Sequence, residues 1–236
     1  MGYYGYYGYY FDPTYLLVLI GAVLCLFAQM RVKSAYHKYA KVPSRTGMTG
    51  AQAAQRILNM SGIHDVRIEH VRGELTDHYD PSNKVLRLSD TVYGSASIAA
   101  IGVAAHECGH AIQDDRSYAP LRLRNSLVPV ANFGTQAAWP IILVGLVFAG
   151  SSFLVNLGIL LFSLGVLFQL ITLPVEFDAS GRAIRILSDS GMLYEEEVKQ
   201  TKKVLGAAAM TYVAAAAASI LSLLRLLILF GGRDRD

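Results

Sequence analysis

The chain has 236 residues, a formal net charge of +3 and a hydrophobic content of 53%. The hydrophobic residues are concentrated in long uncharged runs, a pattern typical of membrane proteins, and the dispersed basic residues exclude a nucleic-acid footprint. The two cysteines, Cys25 and Cys108, do not form the even, spaced set of a disulfide framework. We interpret both as small buried thiols.

The N-terminal region predicts a first membrane span. Its opening repeat, GYYGYYGYYF, is interpreted as an interfacial aromatic anchor. The segment from Tyr15 to Met30 carries no charge and, with its flanks, approaches the roughly 20 residues needed to cross a bilayer. A cleavable signal peptide is the alternative, although no Lys or Arg precedes the apolar run.

The polar segment that follows predicts a scaffold helix and a small sheet. Thr49 precedes a helical pattern in GAQAAQRILNM. VRIEHV (66–71) and KVLRLS (84–89) have the length and composition of strands and are separated by turn residues. A longer helix then begins at Ser95 or Ser97 and continues through SIAAIGVAAHECGHAIQ.

Three further spans are predicted in the second half. The apolar block 127–175 is too long for one helix and is interrupted around Gly150, which indicates a hairpin of two spans. The last block, 205–230, predicts a fourth span, with Arg225 close enough to its far end to reach the headgroups. The fold class is therefore mainly α and multi-pass, with these segments: 1–30 (N-terminal repeat and first span), 31–126 (polar segment), 127–175 (hairpin), 176–204 (polar helix) and 205–236 (last span and tail).

The distribution of positive charge predicts the orientation of the chain in the membrane. Residues 31–126 contain thirteen Lys or Arg residues and residues 176–204 contain five, whereas residues 1–30 and 127–175 contain none. Short loops rich in Lys and Arg stay in the cytoplasm, so both polar segments are expected there and both termini outside. Arg233 and Arg235 at the C-terminus oppose this bias slightly.

The helix of the first polar segment carries a metal motif. His106, Glu107, Cys108, Gly109 and His110 spell H-E-x-x-H. Residues four apart lie above one another on a helix, so both imidazoles reach one zinc ion, while Glu107 reaches the water that zinc activates. We interpret His106 and His110 as ligands of one zinc ion and Glu107 as the general base and acid. The alternative is a chance polar patch, although burying these groups unpaired would cost several kcal/mol.

A third ligand is expected where the hairpin ends, in LPVEFDASGRAIRIL. Glu176 lies just beyond the lipid boundary and is the preferred ligand. Asp178 competes with it, but faces elsewhere on a helix if Glu176 faces the metal. A solvated carboxylate at the end of a span is the alternative for Glu176.

Two stretches carry a family resemblance, and the likeness extends over nearly the whole chain. GELTDHYDPSNKVLRLSDTVYGSASIAAIGVAAHECGHAIQ and the later LPVEFDAS closely resemble the YugP-type membrane zinc metallopeptidases. More remotely, the chain is similar to the gluzincin group of HtpX and CAAX-prenyl proteases. The resemblance implies a zincin-like α+β portion in a prokaryotic cell membrane, zinc ligands at His106, His110 and Glu176, and catalysis by Glu107.

One position departs from these relatives, which tend to have Asp four residues after the ligand Glu. Here that position is Ser180. An Asp would orient a histidine ligand through its second ring nitrogen, whereas a Ser hydroxyl would do so more weakly or not at all.

The remaining histidines, His37, His64, His70 and His78, are by default surface or turn residues. His78 lies by a turn before the KVLRLS strand and is a candidate for stabilising the tetrahedral oxyanion. Tyr79, Arg182 and Arg185 remain open for the same role.

The expected substrates are membrane proteins or their exposed cytoplasmic segments, because the site is predicted at the cytoplasmic membrane face. A peptide could add to KVLRLS as an exposed edge strand, unless that strand is internal. Two other functions stay open: intramembrane cleavage, with the metal helix inside the bilayer, and a non-proteolytic membrane scaffold with a vestigial metal site.

Overall fold

The structure, a computed structural model, describes residues 12–148 and 151–231. The predicted aromatic anchor and the C-terminal Arg233 and Arg235 lie outside these residues. The fold is mainly helical with one small sheet, and its elements in chain order are α1 (Tyr15–Tyr39), α2 (Gly50–Met60), β1 (Arg67–Val71), β2 (His78–Asp80), β3 (Val85–Ser89), α3 (Asp90–Tyr93), α4 (Ile98–Asp115), α5 (Ala119–Val147), α6 (Ser152–Asp189) and α7 (Glu195–Phe230).

Among the described residues, four helices are long and apolar enough to cross a membrane: α1, α5, α6 and α7. The prediction of four spans is confirmed at this level of length and composition. Helices α5 and α6 form the expected hairpin, with α5 ending at Val147 and α6 beginning at Ser152. Large apolar side chains such as Leu19, Phe133 and Phe153 are exposed on these helices, as lipid contact requires.

Helices α1 and α7 pack antiparallel along their apolar lengths. A Cβ atom at Gly21 would lie 3.0 Å from Cα of Ala218, so the two backbones approach closely there. At one end Arg225 pairs with Asp12, with 3.2 Å between Nη2 and Oδ2. Its guanidinium also lies 4.1 Å from the ring centroid of Tyr15. The arginine expected to reach the headgroups is thus held by the beginning of α1.

The predicted sheet is confirmed, with one strand more than expected. β1 pairs in parallel with β3, and β2 pairs with β3 from the other side in antiparallel orientation. β2 is too short, at three residues, to show a period in the sequence. The possible role of KVLRLS as an exposed edge strand is wrong, because β3 is the central strand and four of its five residues are buried.

Helix α4 lies at the centre of the folded core. The expected cap is confirmed at Ser97, whose Oγ accepts a hydrogen bond from the amide of Ala100 at 3.2 Å. Helix α2 also begins as predicted, with a reciprocal capping box between Thr49 and Gln52. Small residues dominate α4 and allow its neighbours to approach closely, so nearly all of the helix is buried against α2, α6, α7 and the sheet.

Helix α6 continues from the hairpin into the segment that carries Glu176. Pro174 lies inside the helix and does not end it, although a proline there removes one backbone hydrogen bond. Helix α7 likewise begins at Glu195, before the apolar run, and continues into it. The boundaries near residues 175 and 204 therefore mark changes in polarity along continuous helices.

Candidate metal centre

The two motif histidines and Glu176 meet at one point between α4 and α6. The imidazoles of His106 and His110 have ring centroids 4.8 Å apart, as expected for positions one turn apart. Oε2 of Glu176 lies 3.3 Å from Nε2 of His106 and 3.6 Å from Nε2 of His110. The candidate ligand atoms of the three residues lie within 4.8 Å of one another.

Close packing of α4 against α6 creates this meeting point. A Cβ atom at Gly109 would lie 2.6 Å from the carbonyl oxygen of Ala179, which is shorter than any normal contact. Glycine therefore permits the approach of the two backbones between the two histidines. Ala179 is itself fully buried three residues after Glu176, on the same side of α6.

The residues fit a zinc ion. Oε2 of Glu176 is buried and has no hydrogen-bond partner within the described structure, a costly state for a carboxylate oxygen. A cation between this oxygen and the two imidazoles would remove that cost. Two histidines and one glutamate are a donor set found in catalytic zinc sites, which keep the fourth position open.

Each histidine is oriented through its other ring nitrogen. Nδ1 of His110 lies 3.0 Å from Oε1 of Gln113, and Nδ1 of His106 lies 3.1 Å from Oγ of Ser180. The amide of Gln113 is fixed in turn, since its Nε2 donates to the carbonyl of Val175 and to Asp178, both at 2.8 Å. These contacts leave both Nε2 atoms free to face Glu176. Ser180 thus makes the contact expected of the relatives' aspartate.

Asp178, the competing ligand, points away from the metal centre. It accepts hydrogen bonds from Gln113 and from Nε of Arg182, the latter at 2.6 Å. Cys108 lies within the motif but packs into the core, where its Sγ lies 3.6 Å from the carbonyl of Ala54. Burial raises the pKa of the Cys108 thiol well above its usual range. Its Sγ faces the core and is not among the candidate ligand atoms that converge at the metal centre in the described structure.

The residues considered for oxyanion stabilisation are engaged in other contacts. His78 lines a cavity beside the metal centre, but its Nδ1 lies 2.9 Å from the carbonyl of Thr76 and its Nε2 lies 3.2 Å from Arg87. The hydroxyl of Tyr79 donates to Asp114 at 2.8 Å. Arg182 is bound to Asp178, and Arg185 lies in a separate groove. The role of His78 stays a prediction.

The other three histidines lie on the surface, as expected. His37 and His70 face the carboxylates of Glu74 and Asp90, at 3.6 Å and 2.7 Å. His64 is exposed. None of the three lines a cavity that reaches the metal centre, within the part of the chain that the structure describes.

Two cavities flank the metal centre. A cavity of about 240 Å³ extends between α1 and α7, and one of about 150 Å³ extends toward β2 and α5. Five residues line both cavities, so an extended chain that passes through them would cross the metal centre: Asp77, His106, Glu107, Glu176 and Tyr212. Glu107 is only 8% exposed and lies at this junction.

Sequence reasoning missed Asp77 and Tyr212. Asp77 precedes β2 and accepts hydrogen bonds from the amide and hydroxyl of Ser89, at 2.7 and 2.9 Å, while burial raises the pKa of its carboxyl. The Tyr212 phenol interacts with the Glu176 carboxylate from α7. A single tyrosine in an otherwise Ala-rich run was the one signal that could have singled out Tyr212.

Comparison with known proteins identifies the family of the chain. The chain is 50% identical over 221 residues to "Putative membrane protease YugP" of Bacillus subtilis (strain 168), an alignment that covers 93% of this chain and 98% of that protein. No solved structure matches the chain significantly. The profile of one family matches residues 14–231. The chain therefore belongs to the family described as "Putative neutral zinc metallopeptidase".

Proposed function

We propose that this protein is a membrane-bound zinc-dependent endopeptidase that hydrolyses peptide bonds of membrane or membrane-proximal proteins at the cytoplasmic face. The observation that carries the proposal is the convergence of His106, His110 and the buried carboxylate of Glu176, whose ligand atoms lie within 4.8 Å of one another. The family assignment supports it. The open fourth position expected for this donor set is a feature of catalytic rather than structural zinc.

Each residue has a distinct role in the proposed reaction. His106, His110 and Glu176 hold the ion, which when bound supplies Lewis acidity that activates water and polarises a substrate carbonyl. Glu107 takes a proton from the attacking water at its carboxylate and delivers it to the leaving amine. Gln113 and Ser180 keep the imidazoles in the tautomer that presents Nε2 to the ion.

The cavities support a membrane-proximal substrate. Gln29 and Val32 line the larger cavity at the level where α1 changes from apolar to charged residues. Val204 and Leu205 line it at the corresponding level of α7, directly after Lys203. The strand beside the smaller cavity is β2, an edge strand, so a substrate adding to the sheet near the metal centre would pair there.

The proposed cytoplasmic face follows from the positive charge of the two polar segments. In a variant with Cys25 and Cys108 replaced by Ala, the single cysteine of Ser82→Cys should react with a membrane-impermeant maleimide only after cells are opened. Reaction in intact cells would reverse the orientation. The exposed position of Ser82 in a turn makes the reagent's access depend on the membrane alone.

Intramembrane cleavage and a non-proteolytic scaffold are the two alternatives. Helix α4 is not among the four described helices that are long and apolar enough to span, and its surface is covered by protein, which favours the interfacial site. A scaffold would bind zinc without cleaving peptides. Zinc binding alone therefore does not separate an enzyme from a scaffold.

Cleavage by matched variants tests the proposal. Purified wild-type protein, Glu107→Gln and Glu107→Ala should all bind one equivalent of zinc, but both variants should lose about 10²-fold or more in kcat. Glu196→Gln is the control, because Glu196 is exposed at the beginning of α7. Equal rates in all four proteins would remove Glu107 as the base, and zinc binding without cleavage by wild type would favour the scaffold.

Zinc stoichiometry tests the third ligand separately. Glu176→Ala should lose the metal, measured by elemental analysis after dialysis, while Asp178→Ala should retain at least part of it. Retention by Glu176→Ala together with loss by Asp178→Ala would move the assignment to Asp178.

A further inference from the structure

Five basic side chains are partly buried in the described structure, and four of them face a carboxylate. Their nitrogen-to-oxygen distances are 2.8 Å for Lys84 with Asp114, 3.0 Å for Arg87 with Asp80, 2.6 Å for Arg182 with Asp178 and 3.2 Å for Arg225 with Asp12. The fifth is Arg124. No described carboxylate oxygen lies within 4.0 Å of its guanidinium, and its buried Nε has no hydrogen-bond partner.

Arg124 lies in the second turn of α5 and lines the smaller cavity together with the metal-centre residues. Asp77 lines the same cavity, but both of its carboxylate oxygens accept hydrogen bonds from Ser89. A partly buried guanidinium without an anionic partner is costly, and the cost is removed when an anion enters the cavity. The position of Arg124 therefore points to an anionic group on the ligand.

The charges of the metal centre with zinc bound also favour an anionic ligand. The two positive charges of zinc would offset the negative charges of Glu107 and Glu176, and the Asp77 carboxylate is bound to Ser89, so Arg124 is the charged group of the described cavity lining that is left to pair with a ligand. Guanidinium groups bind carboxylates through two parallel hydrogen bonds, with an affinity and a geometry that a neutral amide does not match. A peptide presents such a carboxylate either on an Asp or Glu side chain or at its C-terminus.

We propose that Arg124 binds a carboxylate of the substrate, so that the enzyme selects peptides with an acidic side chain or a free C-terminus close to the scissile bond. The inference rests on the proposed peptidase function and adds a substrate class to it. Arg124 acts on specificity: it holds the substrate and takes no part in proton transfer.

Matched peptides test the proposal. Wild type, Arg124→Gln and Arg122→Gln would be compared on fluorogenic peptides that differ only by Glu or Gln at each of the positions flanking the cleaved bond. A second series would carry a free or an amidated C-terminus, which separates the two sources of the carboxylate. Arg122→Gln is the control, because Arg122 is exposed on the same helix and does not line the cavity.

The expected result is a preference of about tenfold or more in kcat/KM for the carboxylate peptide at one position, as the strength of charged hydrogen bonds implies. Arg124→Gln should lose that preference and Arg122→Gln should retain it. Zinc content should be equal in all three proteins. An equal loss on charged and neutral peptides would overturn the proposal and assign Arg124 to transition-state stabilisation.

Binding provides a measurement that does not depend on cleavage. Succinyl hydroxamate and butyryl hydroxamate share a metal-binding group and differ at the end of the chain, where only the first has a carboxylate. Zinc-loaded wild type should bind the succinyl compound at least about fivefold more tightly, and Arg124→Gln should bind the two equally. If wild type shows this preference but cleaves no peptide, the carboxylate-binding site is supported and the peptidase function is rejected. Equal binding by wild type would reject the carboxylate site itself.

Discussion

Helices α4 and α1 are both rich in apolar residues, but they use these residues in opposite ways. Helix α4 buries 14 of its 18 residues, mostly Ala, Gly and Ile, against other parts of the protein. Helix α1 buries 4 of its 25 residues and exposes Leu, Val and Phe side chains. The apolar surface of α4 is therefore an internal contact, whereas that of α1 is exposed and suited to contact with lipid.

The difference shows why the metal centre is on α4. Small residues let α6 and α7 approach this helix closely, which holds the imidazoles of His106 and His110 in fixed positions. Helix α1 packs mainly against α7 and leaves large side chains exposed over most of its remaining surface. Rigid placement of metal ligands requires the first kind of packing, and membrane insertion requires the second.

Substitution of one leucine in the core packed around α4 and of one leucine in α1 should break the comparison most clearly. Leu88→Ala in β3 empties a fully buried position and should lower the free energy of unfolding by about 2–5 kcal/mol. Leu19→Ala in α1, where the side chain is 59% exposed, should change it by less than about 0.5 kcal/mol. Denaturant titration in detergent micelles measures both.

Leu19→Arg sharpens the same test. A charge at this exposed apolar position should cost up to about 3 kcal/mol of membrane insertion, the value for the centre of a span, and reduce the amount of protein recovered in membranes. If Leu19→Ala were as destabilising as Leu88→Ala, α1 would be packed against protein on its exposed side, and the lipid-contact interpretation would be wrong.

Gly109 tests the close packing of α4 against α6. Gly109→Ala places a Cβ atom 2.6 Å from the backbone of Ala179, so the helices must separate, at a cost of about 2–3 kcal/mol. Zinc affinity should fall as well, because the separation moves Glu176 from the histidines. Unfolding and zinc titrations measure the two effects.

Gly181→Ala is the matched control for this substitution. A Cβ atom at Gly181 would meet no atom within 4 Å. Alanine is the better helix former, so α6 should be stabilised by about 0.5–1 kcal/mol with zinc affinity unchanged. A similar loss in both variants would show that the effect of Gly109→Ala does not come from helix packing.

The contacts that orient the histidines should have smaller effects. Gln113→Ala removes the partner of His110 and should weaken zinc binding about 10- to 100-fold, as such substitutions do at other sites. Ser180→Ala should weaken it less, because a hydroxyl is a weaker partner. Ser180→Asp supplies the acceptor that the relatives tend to have and should strengthen zinc binding. A competition titration against a chelator ranks the four proteins, and an equal affinity in all of them would remove both contacts from the metal centre.

The structural elements that are defined by patterns within one short segment of the sequence could be predicted. Uncharged runs of span length predicted the four long helices, since lipid imposes length and composition on each segment independently. The i, i+4 spacing placed His106 and His110 on one face of α4 before any contact was known. The three-residue β2 could not be predicted, because it exists only through its hydrogen bonds to β3.

The sequence by itself determined which segments are apolar, where the histidine pair lies and which carboxylates could complete it. Only the tertiary structure decided that Glu176 faces the pair while Asp178 binds Gln113 and Arg182, and that Arg124 meets no carboxylate among the described residues. These outcomes depend on how α4, α5 and α6 pack. A pairing between distant residues leaves no periodic trace in a single chain, because each residue type suits many partners and packing selects one.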